Sequence, residues 1–217
     1  MRFLRKYKFQ LLRGALQRGF ITFIRQAYVI ALDSMVRQKH LVFRATHEDI
    51  PRGFQQKDST LSFREISSWK ELREDDRKRL FDPQQAIDFG GVDWFDQGWR
   101  LWIGEIDGRL AVLGWWRGAK QSRDFFCSLP EDAELLGHVT TLPDSRGLGL
   151  HVMLWVTFMQ ERIKVGVNSF YTNCREYNIP SHRNILRMWY CCIGYCTVNK
   201  YTGHRKWHSL FDKETGV

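Results

Sequence analysis

Residues 137–155, GHVTTLPDSRGLGLHVMLW, join a strand, a glycine turn and a helix start without a spare residue. Val139, Thr140 and Thr141 are β-branched and suit a strand. Leu142-Pro143-Asp144-Ser145 ends it with turn chemistry. Arg146-Gly147-Leu148-Gly149 follows, and then Leu150, Val152, Met153, Leu154, Val156 and Phe158 on a helix whose apolar content predicts burial. Gly147 and Gly149 let the backbone approach a ligand, because no Cβ intervenes. The amides of such a turn and of a helix N-terminus carry partial positive charge without a partner. The run from Arg146 to His151 is therefore a candidate anion cradle, suited to a pyrophosphate. A tight turn with no ligand is the competing reading.

The rest of the chain reads as follows. Residues 3–36 repeat apolar positions at helical spacing, with basic residues on much of the other face. Residues 37–59 are polar and predict a linker with a short strand at His40–Ala45, so the domain proper is expected over 60–217. Leu61–Ile66 alternates as a strand, and Ser67 or Ser68 is expected to cap a charged helix to about Leu80. A short helix is expected at Gln84–Phe89. Trp99–Ile106 and Leu110–Trp116 predict a hairpin across Asp107-Gly108. Ala133–Thr141 is the strand that enters the glycine turn, and the following helix runs to about Lys164 with Gly166 as its cap. Ser169–Cys174 predicts a strand, Pro180-Ser181 a helix start with an end near Cys192, and Tyr195–Leu210 a final hairpin. This order predicts an α/β (or α+β) domain with a mixed sheet between helices.

Composition narrows the function classes. The net charge is +9, yet residues 1–44 hold ten Lys/Arg against the single acid Asp33. The remainder balances, so the basic character belongs to the N-terminal segment, and nucleic acid ranks low as a partner. Arg13, Arg18 and Arg25 interrupt every long apolar run there, against a spanning helix or a signal peptide. A basic amphipathic helix lies on an anionic membrane surface, or packs its stripe on the domain or a second subunit of a homodimer. Cys127, Cys174, Cys191, Cys192 and Cys196 have neither zinc nor disulfide spacing. They predict reduced thiols and a cytoplasmic protein, at most peripheral at the inner membrane surface, with no metal.

Thr141–His151 resembles motif A of the GNAT (GCN5-related N-acetyltransferase) superfamily: Arg or Gln, two residues, Gly, one residue, then Gly or Ala. Arg146 and Gly149 match, and His151 stands where a small residue is usual. A second stretch, Asn178–Tyr195, is similar to the family's Asn, short helix with Tyr, then Gly-Tyr. The resemblance implies a mixed, mostly antiparallel central sheet flanked by helices, here behind an N-terminal amphipathic helix. It implies acetyl-CoA as acyl donor, with Val139, Thr140 and Thr141 along the pantetheine arm. It implies Arg146, Gly147, Leu148, Gly149, Leu150 and His151 around the pyrophosphate, assisted by Asn178 and Ser181, and Tyr190 as proton donor to the leaving thiolate.

Acyl transfer to an amine needs that amine neutral, and Glu134 and His138 are the candidate bases on the strand before the turn. Their even separation predicts one shared side of the strand. The expected reaction is direct attack of a small-molecule amine on the thioester in a ternary complex. A longer acyl donor, in lipid or polysaccharide metabolism, and a degenerate GNAT-fold binding module are the alternatives. His151 is the feature that favours the last.

Overall fold

A computed structural model describes residues 12–13, 15–17, 19–51, 60–82 and 87–211. They form two compact units. The larger takes Arg44–Thr172 and Asn184–Cys191; the smaller takes the described residues of Met1–Phe43, Asn173–Arg183 and Cys192–Val217. The strands are β1 (Arg37–Thr46), β2 (Leu61–Ile66), β3 (Arg100–Ile106), β4 (Arg109–Gly118), β5 (Ala133–Thr141), β6 (Ser169–Arg175), β7 (Cys191–Asn199) and β8 (Arg205–Ser209). The helices are α1 (Phe20–Met35), α2 (Glu74–Phe81), α3 (Leu150–Lys164) and α4 (Ile179–Arg187).

In the larger unit the strand order is β2-β3-β4-β5-β6. The first three junctions are antiparallel and β5–β6 is parallel. Asp107 and Gly108 turn the β3–β4 hairpin with positive φ at both, 49° and 70°. β4 is buried along nearly its whole length, so it carries apolar residues on both faces. On one face Leu101, Ile103, Leu113 and Trp115 pack with Leu72, Leu80 and Phe89. On the other, Trp102 and Trp116 meet Phe158 of α3 at ring distances of 5.4 and 5.1 Å. Gly114 makes room there, because a Cβ would lie 2.5 Å from the Trp155 ring. The smaller unit has the order β6-β1-β7-β8, with β7 and β8 antiparallel. β6 and β1 each run through both units.

The mixed, mostly antiparallel sheet with flanking helices is the expected fold class. Several elements differ from the sequence reading. Gly19, at φ 113°, interrupts the single helix expected over 3–36, and α1 begins after it. The strand expected at His40–Ala45 is a ten-residue sheet member, Arg37–Thr46. Ser68 caps only a 3₁₀ turn, Trp69–Glu71, accepting from the Lys70 amide at 3.2 Å. α2 then starts at Glu74, where Glu74, Asp75 and Asp76 complement the helix dipole. Of the helix expected at Gln84–Phe89, residues 84–86 lie outside the described residues and 87–89 are not helical. α4 ends at Arg187, well before Cys192, and Trp189 takes φ 61° in the turn that follows. The run from Cys191 is strand, so Tyr190 lies between the turn and β7 and not on a helix. None of the five cysteines, all of them among the described residues, forms a disulfide.

Candidate functional site

β5 carries two irregularities at the place where the sequence put the chemistry. Its pairing with β4 shifts register between Gly114 and Trp116, so Gly137 and His138 together oppose Trp115. This is a β-bulge, and the glycine marks it. A Cβ on Gly137 would lie 2.6 Å from the Trp99 ring. The parallel ladder to β6 spans only Ala133–Leu135 against Ser169–Tyr171. Beyond it, Leu136–Thr141 pairs with β4 alone, which leaves the backbone edge on the β6 side unpaired among the described residues.

The turn that follows is open. Leu142–Ser145 closes a 3₁₀ turn, held to α2 by Arg79 Nη2 donating to Asp144 Oδ2 at 2.7 Å. Gly147 and Gly149 have φ of 87° and 75°, the left-handed region where a side chain is strained. A Cβ at either would meet nothing within 4 Å. Gly149 is the N-cap of α3, and its carbonyl accepts from the Val152 and Met153 amides. The amides of Gly147, Leu148, Gly149, Leu150 and His151 make no hydrogen bond among the described residues. Arg146 is exposed and its Nε donates back to the Thr141 carbonyl at 3.3 Å. His151 is half-buried; loss of solvent, with the nearby His138 charge, lowers its pKa to about 4. It is therefore a neutral imidazole near pH 7.

The bulge separates the two candidate bases, which corrects the expectation that they share a side. Glu134 turns to α3, where Arg162 donates to its Oε1 from Nε at 2.8 Å and Nη2 at 2.5 Å. It is 4% exposed, and burial raises its pKa against the opposing pull of Arg162. Both donors go to Oε1, and the buried Oε2 has no hydrogen-bond partner among the described residues. His138 instead faces the 88–99 segment. Its Nε2 lies 2.8 Å from the Asp88 carbonyl and 3.0 Å from Thr140 Oγ1. The Thr140 hydroxyl also donates to the Asp88 carbonyl. That carbonyl can only accept, so Nε2 of His138 is the donor to it. Trp94, Trp99 and Trp115 wall this side, with ring distances of 5.3 Å from Trp94 to each of the others.

Tyr190 is 3% exposed, and its hydroxyl has no hydrogen-bond partner among the described residues. Burial, and then the Glu134 charge, raises its pKa well above the usual tyrosine value. Asn178 and Ser181 belong to the smaller unit. There Asn178 Oδ1 accepts from the Ser181 amide at 3.1 Å, an N-cap interaction that opens α4. A cleft of about 810 Å³ along α2, lined by Trp69, Arg77 and Phe81, contains no residue of the turn. Among the described residues no cluster of metal-ligating side chains is present. Asp88 and the tryptophan wall were not identifiable from sequence, since the first contributes a backbone carbonyl. The lone glycine beside His138 was the available signal for the bulge.

Neither a protein-family model nor a curated protein matches the sequence. Solved structures are similar in fold. A GCN5-related N-acetyltransferase from Kribbella flavida aligns at TM-score 0.50 and 14% identity, over 82% of this chain and 64% of that one. A GCN5-related N-acetyltransferase from Sphaerobacter thermophilus aligns at TM-score 0.50 and 14% identity, over 87% of this chain and 57% of its own. A tandem GNAT protein from the clavulanic acid biosynthesis pathway aligns at TM-score 0.50 and 13% identity, over 80% of this chain and 57% of that one. This chain therefore spans less than two thirds of the length of each. The fold of the chain is the GNAT fold.

Proposed function

We propose that the protein is a CoA-dependent N-acyltransferase that passes an acetyl group from acetyl-CoA to a primary amine. The observation that carries this reading is the run of unpartnered amides from Gly147 to His151, directly after the unpaired edge of β5. A diphosphate takes those amides, and α3 adds its N-terminal partial charge. Arg146 supplies a full positive charge once it leaves the Thr141 carbonyl. His151, its pKa lowered to about 4 by burial, adds no positive charge to the cradle near pH 7. The pantetheine arm lies along Val139–Thr141, whose free backbone groups hydrogen-bond it as a strand would and polarise the thioester carbonyl.

The acceptor enters against the tryptophan wall. His138 Nδ1 takes the proton that the attacking nitrogen loses, while Asp88 and Thr140 fix the ring from the other nitrogen. The new N–C bond forms as the C–S bond breaks, and the sulfur leaves as thiolate or thiol. Glu134 and Tyr190 stay outside this chemistry: the first holds Arg162, and the second is sealed in the core.

Calorimetric titration of the full chain with acetyl-CoA tests the reading, with release of free thiol over a panel of amines as the second measurement. Binding that Gly149→Glu abolishes is expected, since the new carboxylate repels the diphosphate and its side chain enters the cradle. The variant also carries a strained backbone of about 1 kcal/mol, which its melting curve reports separately. Unchanged affinity in Gly149→Glu would place the nucleotide elsewhere. Tight binding without turnover on any amine would favour the degenerate module, and tighter binding of long-chain acyl-CoA the longer donor.

A further inference from the structure

α1 docks on its own unit through Ile30 and two polar side chains, and turns a row of large apolar side chains outward. Gln26 Nε2 donates to the Tyr177 carbonyl at 2.8 Å, and Arg175 Nη1 to Asp33 Oδ1 at 3.2 Å. Gln26 and Asp33 are both 8% exposed. Phe20, Ile21, Ile24, Tyr28 and Met35 are 68%, 71%, 51%, 63% and 62% exposed. Phe20, Ile24 and Tyr28 form one i,i+4 row, and Ile21, Tyr28 and Met35 recur every seventh residue, so these side chains share a face. A helix that serves only to cover a core presents the opposite arrangement. A contiguous apolar face of this kind marks an interaction site.

Charge selects the occupant. Residues 1–18 contain Arg2, Arg5, Lys6, Lys8, Arg13 and Arg18 and no acid. Arg25 on α1 and Arg37 just after it are exposed. The one acid of α1, Asp33, is already paired with Arg175. A second copy docking face to face would bring the exposed Arg25 of each copy toward the other. An anionic lipid surface complements the basic residues and receives the apolar row at the headgroup boundary. Among the described residues no helix is long and apolar enough to cross a membrane. We propose that α1 lies flat on an anionic membrane surface, with Phe20, Ile21, Ile24 and Tyr28 inserted and the basic residues against lipid phosphates. This stands independently of the acyl-transfer reading.

Co-sedimentation of the full chain with phosphatidylcholine vesicles, with and without phosphatidylglycerol, tests it. Partitioning to the anionic vesicles alone, weakened by added salt, is expected. The Ile21→Asp/Ile24→Asp variant should partition about tenfold or more less well, with an unchanged melting temperature. Phe20→Asp is a second variant, so a folding defect in the first leaves the test intact. Wild-type protein that stays in the supernatant with both vesicle types overturns the proposal. So does equal partitioning of wild type and variants. A concentration-dependent dimer that Ile24→Asp dissociates, without vesicle binding, assigns the face to a second copy instead.

Discussion

His138 and Tyr190 show how one residue's surroundings set its chemistry. A histidine held at one nitrogen by a carbonyl acceptor has its tautomer chosen for it, and the other nitrogen is free to take a proton. His138→Ala should lower turnover by about 10²-fold or more while acetyl-CoA affinity stays near wild type, because the ring is outside the turn. Steady-state kinetics beside calorimetry checks this; equal loss in both would mean a packing defect. Tyr190 presents the reverse case, a buried hydroxyl without a partner. Removing an unsatisfied group costs little, so Tyr190→Phe should leave stability within about 1 kcal/mol or raise it. Its turnover should stay within a few-fold. A hundredfold fall would restore Tyr190 as the acid that the family resemblance implied.

At the scale of elements, β5 and α3 act as one device. The bulge at Gly137–His138 re-aims the strand, the short ladder to β6 opens its edge, and the glycine turn delivers α3 directly behind it. α3 must then pack closely on β4, which Gly114 permits. Gly114→Ala would drive a methyl group into Trp155 and Leu154. It should destabilise the protein by about 2 kcal/mol, read as a shift in denaturant midpoint. A neutral result would mean that α3 is not seated as described. The strand, the turn, α3 and the Asp107-Gly108 hairpin were legible in sequence, because β-branched runs, turn residues and helical periodicity act locally. α4 was not. Its apolar and cysteine-rich end, Met188–Cys192, fits a helix or a strand equally, and the positive φ at Trp189 decides between them.

For the molecule as a whole, two half-buried histidines contribute to the response to acid. Burial, followed by the charges of Arg175 and Arg205, lowers the His40 pKa to about 3, and His151 lies at about 4. Both folded values are depressed, so between about pH 6.5 and 4 the unfolded chain binds protons that the folded chain refuses. Stability is fully present above about pH 6.5 and falls as the pH drops. Discounted for half-exposed rings, the loss is of order 2 kcal/mol. Thermal melts across that range should show it, and His40→Asn should flatten the profile. A flat wild-type profile would contradict the burial of both rings. The sequence by itself determined the order of the elements around the glycine turn and the candidate cradle, since both depend on residues adjacent in the chain. Only the tertiary structure decided which side chains surround that strand and turn. His138 is fixed by a carbonyl 50 residues away, Glu134 by an arginine 28 residues away, and α1 by polar contacts 142 and 151 residues distant. Contacts over such separations follow from how the strands and helices pack, and no local pattern encodes them.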